Sequence, residues 1–191
     1  PSINISEFKN KNKLDGILDE DHFNIVYSGA LGQKQFPQGI LDNAIYLVNK
    51  FQNVRFHIFS TGYEFEKIRD KNTCSNIIFN DLVREEDLGE LLLRSDIQFI
   101  PQAHGTSKGS LPSKLPNILA SGTMIFSITD RGSEIEKLLS QHKGCYVSNS
   151  WEPRDNYELI RDLINKGNKK FDRSKDLSLF NRDSLAKEIK K

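Results

Sequence analysis

The sequence is poor in methionine and cysteine, has no excess of either charge, and holds no long apolar run. Met124 is the single methionine of 191 residues, and the chain begins at Pro1. The expectation is a processed chain or a piece of a longer protein. The two cysteines, Cys74 and Cys145, lie far apart without metal-type spacing. That argues against zinc and reads as two reduced thiols. Lys plus Arg is 27 and Asp plus Glu is 26, a net charge of +1, which lacks the basic excess of a nucleic-acid binder. No apolar run approaches the roughly 18–20 residues of a membrane span, and no charged-then-apolar signal segment opens the chain. With 37% apolar and 28% charged residues, the composition suits a globular protein of one domain, or at most two small ones.

What is present is a regular alternation. Residues 1–22 are polar and read as a linker leading into the domain, with Ile3, Ile5 and Phe8 able to pin it to a surface. From Phe23 onward, short apolar runs at 23–28, 54–60, 76–80, 96–102, 123–129 and 144–148 read as strands. Stretches of helical period at 37–50, 64–71, 85–95, 113–121, 133–142 and 155–166 separate or follow them, and a last helical segment lies near 182–190. This predicts an α/β, Rossmann-like doubly wound parallel sheet of about six strands. The domain spans 23–170 and a helical tail spans 171–191. The third to fifth strands read as covered on both faces. A doubly wound sheet binds ligands at the carboxyl ends of its strands, so the residues after each strand carry the functional argument.

After the first strand, Gly29 and Gly32 could let backbone N–H groups approach an anion, with Lys34 adding a charge; a plain tight turn explains them equally well. The dinucleotide pattern G-x-G-x-x-G is missing, and Ser60-Thr61-Gly62 puts no acid at the tip of the second strand. No Walker-type loop occurs. A receiver domain could use Asp81, but Ser28 and Gly29 stand where its other acids belong. The densest feature is GTSKGSLPSKLPNILASG at 105–122. Its loop carries Lys108, Ser113 suits a helix N-cap, and Lys114 stands at the helix start against the dipole, which favours a bound anion. Asn117, one turn on, could bond a sugar hydroxyl. His104 and the run Asp130–Glu134 lie on neighbouring strand-end loops. Ser133 serves there as a helix cap, and Trp151 could close over the sheet or meet a partner. No carboxylate cluster lies at the strand ends, so no metal is expected.

YSGALGQKQ (27–35), HIFSTG (57–62), NDLVREEDLGELLLRSDIQFIPQ (80–102), LPSKLPNILASGTMIFSIT (111–129) and SEIEKLL (133–139) together resemble the C-terminal half of GT-B glycosyltransferases. They are similar to the group-1, family-4-type retaining enzymes, and within them to the colanic-acid and capsular-polysaccharide branch. The resemblance covers about residues 20–170. It implies a domain that holds a UDP- or GDP-linked sugar donor, with no cofactor, for transfer to a polysaccharide or lipid-linked acceptor. An N-terminal acceptor domain would be its partner. The setting implied is cytoplasmic, with peripheral contact to the inner face of the plasma membrane through a lipid-linked acceptor. By position, Gly29, Gly32 and Lys34 match the diphosphate turn, and Thr61 and Gly62 the loop after the second strand. Val83 and Arg84 match the loop beside the base, and Ser113 and Lys114 the helix start facing phosphates and sugar. Two departures stand out. Ala30 replaces the usual first-turn arginine, and Gly109 and Asn117 replace a pair of glutamates. The alternatives are a GT-B-like nucleotide-sugar epimerase, or a non-catalytic nucleotide- or anion-binding module. The basic stretch Lys166, Lys169, Lys170, Arg173 and Lys175 reads as a solvated face, with anionic lipid as the other possibility.

Overall fold

The computed structural model of the protein describes residues 14, 16–107, 111–167 and 170–173. Six strands form one sheet: β1 (Phe23–Ser28), β2 (Val54–Phe59), β3 (Ile77–Asn80), β4 (Ile97–Pro101), β5 (Met124–Ile128) and β6 (Cys145–Ser148). Their spatial order is β3-β2-β1-β4-β5-β6, and every pairing is parallel. Among the described residues six α-helices accompany them: α1 (Pro37–Lys50), α2 (Tyr63–Lys71), α3 (Leu88–Arg94), α4 (Leu115–Ala120), α5 (Glu134–Leu139) and α6 (Pro153–Lys166). The chain winds outward from β1 in one direction and from β4 in the other. β1 pairs with β2 from Phe23↔Val54 to Ser28↔Phe59, but with β4 only at Ile25↔Ile97 and Val26↔Gln98. The carboxyl ends of β1 and β4 therefore splay apart where the strand order reverses, which opens a crevice.

Side-chain alternation along the strands divides the core. Ile25, Tyr27, Phe56 and Ile58 face one layer with Ile40, Leu41, Ala44 and Leu47 of α1, Phe65 and Ile68 of α2, and Ile160 and Leu163 of α6. Ile100 and Ile125 face the other, against Leu115, Ile118 and Leu119 of α4 and Ile135 and Leu139 of α5. Phe56, Phe99 and Phe126 form an aromatic row, with centroids 5.8 Å and 5.5 Å apart. Each fully buried side chain of this size contributes about 1.5–3 kcal/mol.

Four expectations need correction. β3 is an edge strand in which only Ile77 is fully buried, so it is not covered on both faces. The stretch 85–95 divides into a 3-10 turn at Glu85–Asp87 and α3. Ser113 is not the cap of α4: Lys114 holds that position, with no side-chain cap bond. The reason is that a serine cap needs the N–H of the second or third residue after it. Leu115 gives its N–H to the Pro112 carbonyl (2.9 Å), and Pro116 has none. Finally, the basic stretch is not uniformly a solvated face. Lys170 donates to the Ser95 carbonyl (2.8 Å) and Thr123 Oγ1 (3.0 Å), and Arg173 is buried. Lys169, Lys175 and the helical segment near 182–190 lie outside the described residues, as do Ile3, Ile5 and Phe8. At the other terminus, Leu14 and Leu18 sink into a cluster with Val26, Phe59 and Leu91. That packing ties residues before Phe23 to the sheet.

Candidate functional site

The site is assembled at the carboxyl ends of β1 and β4. β1 ends in Ser28 and breaks into Gly29. Tyr27 donates its hydroxyl to the Ala30 carbonyl (2.6 Å) and holds the following turn from below; burial pushes that phenol well above its ordinary pKa. The Ser60 hydroxyl donates to the Gly29 carbonyl (2.7 Å), stitching the end of β2 to the same turn. Gly29 N–H donates to the Phe59 carbonyl (3.0 Å), and Gly32 N–H to Gln35 Oε1 (3.0 Å). The two glycine amides are thus already used inside the fold. Among the described residues, the amides of Ala30 and Leu31 between them have no protein acceptor. Lys34 is exposed, and its carbonyl accepts from Ala103 N–H (2.8 Å) and the Thr106 hydroxyl (3.4 Å), joining this turn to the loop after β4.

Lys114 reaches across from the other side of the crevice. Its ammonium donates to the Ser28 carbonyl (3.4 Å) and lies 3.8 Å from where a Cβ on Gly29 would stand. The group is half-buried, and burial alone lowers its pKa. Among the described residues no carboxylate pairs with it. Ser28, Gln98, Lys114 and Asn117 border a cavity of about 10 Å³, room for roughly one water. The Ser28 hydroxyl there is buried without a partner. Sequence reasoning brought out Lys114 and Asn117, and the structure puts them together. It passed over Ser28, Tyr27 and Ser60, whose roles come from pairing between strands distant in sequence.

The remaining candidates frame this centre. Thr61 and Gly62 are exposed at the end of β2. Gly62 has φ 95°, a left-handed conformation that glycine tolerates, and open space where a Cβ would project. Val83 packs its side chain against the Leu14–Phe59 cluster. The Arg84 guanidinium is engaged by Asp87 Oδ2 (3.0 Å) and Glu86 Oε1 (3.1 Å), so this loop offers a ligand its backbone rather than its side chains. Ser113 is exposed. Lys108 and Gly109 lie outside the described residues. Asp130 gathers the loop after β4. It accepts from Ser107 Oγ (2.5 Å), His104 Nδ1 (2.9 Å) and Gly105 N–H (2.9 Å), and the Ser107 and His104 bonds hold its carboxyl below the usual range. Ser133 caps α5 by accepting from Glu136 N–H (3.1 Å). Phe36, at the end of the first turn, has φ 53° and ψ 69° and packs edge-on against Trp151 at 5.0 Å. Gly39 leaves room for both rings: a Cβ there would come within 2.4 Å of Phe36 and 2.6 Å of Trp151.

A concavity of about 510 Å³ lies at the opposite, amino-terminal ends of the strands. Asp19, Glu20, Asp21 and Asp96 line it together with His22 and Arg94, and Asp19 is paired with Arg55 and His22. It lies away from the edge at which such sheets bind ligands. Among the described residues, no group of three or more His, Cys, Asp or Glu side chains is placed to hold a metal, and no helix is long and apolar enough to cross a membrane.

No family model matches the chain. Over 140 residues it is 29% identical to "Putative colanic acid biosynthesis glycosyl transferase WcaI" of Escherichia coli K12, a match that takes in 72% of this chain and 33% of that protein. The chain thus spans about a third of the length of this curated relative. Among solved structures it superimposes on WaaG, a glycosyltransferase involved in lipopolysaccharide biosynthesis (TM-score 0.62, 14% identity, 85% of this chain and 42% of that one). It also matches the C-terminal domain of the group 1 glycosyl transferase LpcC from Francisella tularensis (TM-score 0.57, 13% identity, 75% of each chain). A putative UDP-N-acetylglucosamine 2-epimerase from Listeria monocytogenes shares the fold (TM-score 0.58, 13% identity, 83% of this chain and 40% of that one). The chain accordingly has the Rossmann-like α/β fold seen in the C-terminal half of GT-B glycosyltransferases, and it resembles a colanic-acid member of that group in sequence.

Proposed function

We propose that this chain is the donor-binding half of a glycosyltransferase that moves a sugar from a nucleoside diphosphate sugar to a polysaccharide or lipid-linked acceptor. The observation that carries the reading is Lys114. A half-buried ammonium at the switch point, without a carboxylate partner, is costly for an empty protein and suited to a diphosphate. The open amides of Ala30 and Leu31 lie on the turn across the same crevice, where charge on a departing diphosphate would be stabilised by fixed donors. Asn117 stands beside Lys114 to bond a hydroxyl of the ligand. Among the described residues, the exposed large apolar side chains are Phe36, Tyr63, Leu82 and Leu111. Phe36, Leu82 and Leu111 lie in the loops after β1, β3 and β4, and Tyr63 opens α2 just after β2. An apolar rim around a polar centre suits closure by a second, acceptor-binding domain. The use of nucleotide sugars and a lipid-linked acceptor fits a place at the cytoplasmic face of the membrane.

Calorimetry with UDP, GDP and their sugars tests the assignment. The isolated chain is expected to bind one of these nucleotides weakly and to transfer nothing. Lys114→Ala should weaken binding at least tenfold, and Lys34→Ala less. Saturable transfer by this chain alone would refute the half-enzyme reading, and affinity indifferent to both substitutions would refute the site. The epimerase reading has the His104–Asp130 pair and the shared fold on its side. Conversion of a UDP-sugar to its epimer, followed by NMR, would replace the transferase reading with it.

A further inference from the structure

α4 is a six-residue helix with its site-bearing end at Lys114. A helix this short does not hold itself in place by its own hydrogen bonds, and its last carbonyls need donors from outside. The residues just past the helix supply them: Ser121 N–H donates to the Asn117 carbonyl (3.0 Å), Ser121 Oγ to that of Ile118 (2.7 Å) and Gly122 N–H to that of Leu119 (3.2 Å). A strap at residues 170–173 adds a second bond to Leu119 and holds the segment that follows. Arg173, 3% exposed, donates Nη1 to the carbonyls of Leu119 (3.3 Å) and Thr123 (3.0 Å). Its Nε and Nη2 donate to the Lys143 carbonyl (3.0 and 2.9 Å). Phe171 N–H donates to the Gly122 carbonyl (2.8 Å) just past the helix. Two glycines make way for the strap. A Cβ on Gly122, where φ is 71°, would stand 2.5 Å from the Phe171 carbonyl, and one on Gly144 would stand 2.4 Å from the Phe171 ring. A single guanidinium thus fastens the last turn of α4 to the starts of β5 and β6.

We propose that Arg173 is a positioning residue for the nucleotide site, acting through α4 to set where the Lys114 ammonium stands; this rests on the donor-site reading above. Lys114 and Leu119 are joined by little more than one helical turn. A displacement of the helix's last turn therefore carries to its first, and a shift of about 1 Å in a positioned group is enough to cost binding and rate. Coupling between two places in a protein is reciprocal. If the strap sets the site, a ligand in the site must also steady the strap.

Hydrogen exchange on the unmodified chain, with and without saturating UDP or GDP, reads that reciprocity directly. The Phe171 amide is expected to exchange at least fivefold more slowly with ligand bound. In calorimetry at a temperature where each variant is shown to be folded, Arg173→Ala should weaken nucleotide binding at least tenfold. Ile68→Ala, an equally buried change on α2 away from α4, should lower Tm and leave the affinity within twofold. If the ligand does not protect Phe171, or if Arg173→Ala lowers Tm with affinity intact, the strap is structural only and the proposal falls. In that case Lys114→Ala still reports on the site by itself. If the unmodified chain binds neither UDP nor GDP, nor inorganic pyrophosphate, the donor-site reading falls and takes this proposal with it.

Discussion

At the amino-terminal edge of the sheet, charges meet partners inside the fold. Arg55 bonds Asp19, Arg94 bonds Glu90 at 3.0 Å, Lys170 bonds the Ser95 carbonyl and the Thr123 hydroxyl, and Arg173 is spent on three carbonyls. At the carboxyl edge the accounts stay open. Among the described residues, Lys114 has no carboxylate, the Ser28 hydroxyl has no partner, and four large apolar side chains are exposed. The same sheet supports both edges, so the difference lies in side-chain chemistry rather than architecture. The satisfied edge holds the domain together. The other edge is the one on which the proposed donor site draws.

Three substitutions test this contrast. The largest effect is expected from Gly122→Ala on the satisfied edge. It combines a left-handed backbone with a collision against the Phe171 carbonyl, and should cost about 4 kcal/mol in urea denaturation as the strap lifts. A cost below about 1 kcal/mol would mean that the strap adds little. Next comes pH. His57 is fully buried and lies 3.0 Å from Asn24 Oδ1; burial, with the nearby Arg55 charge, outweighs the pull of Asp19 and lowers its pKa to about 4. The unfolded chain takes up a proton there near pH 6.5, while the folded one does not until about pH 4. Stability at this residue is therefore complete above pH 6.5 and falls as pH drops through that window, by about 3 kcal/mol. His57→Gln should flatten that part of the pH–stability curve, and an unchanged slope would place the titration elsewhere. The smallest effect on stability belongs to the open edge. Lys114→Met should make the free chain more stable by about 0.5–1 kcal/mol, because a desolvated charge is removed, while nucleotide binding is lost. A loss of stability would move Lys114 to the satisfied side of the comparison.

The parts of this molecule that were legible in sequence are those set by local pattern. β1 and α1 fall where the FNIVYS run and the Pro37-led apolar stripe put them, because alternation, a glycine break and a proline at a helix start are local signals. The site was legible as far as Lys114 and Asn117, which share one short segment. What escaped was decided by competition for hydrogen bonds. Ser113 has the composition of a cap, yet no N–H remains for it to accept. Which amides of the Gly29–Gly32 turn are committed was also hidden: those of the glycines go to Phe59 and Gln35. Arg173 read as a solvated cation because nothing in its own neighbourhood announces Leu119, Thr123 and Lys143, which only the folded sheet brings to it. The interactions hardest to read were those whose partners are far apart in the chain.

The contact between Phe36 and Trp151 has a practical side. Trp151 is the only tryptophan in the sequence, and its indole rests edge-on against the residue that ends the first strand-end turn. Any rearrangement of that turn alters the surroundings of the sole strong near-ultraviolet fluorophore. The protein thus carries its own optical gauge of that turn, one that needs no label.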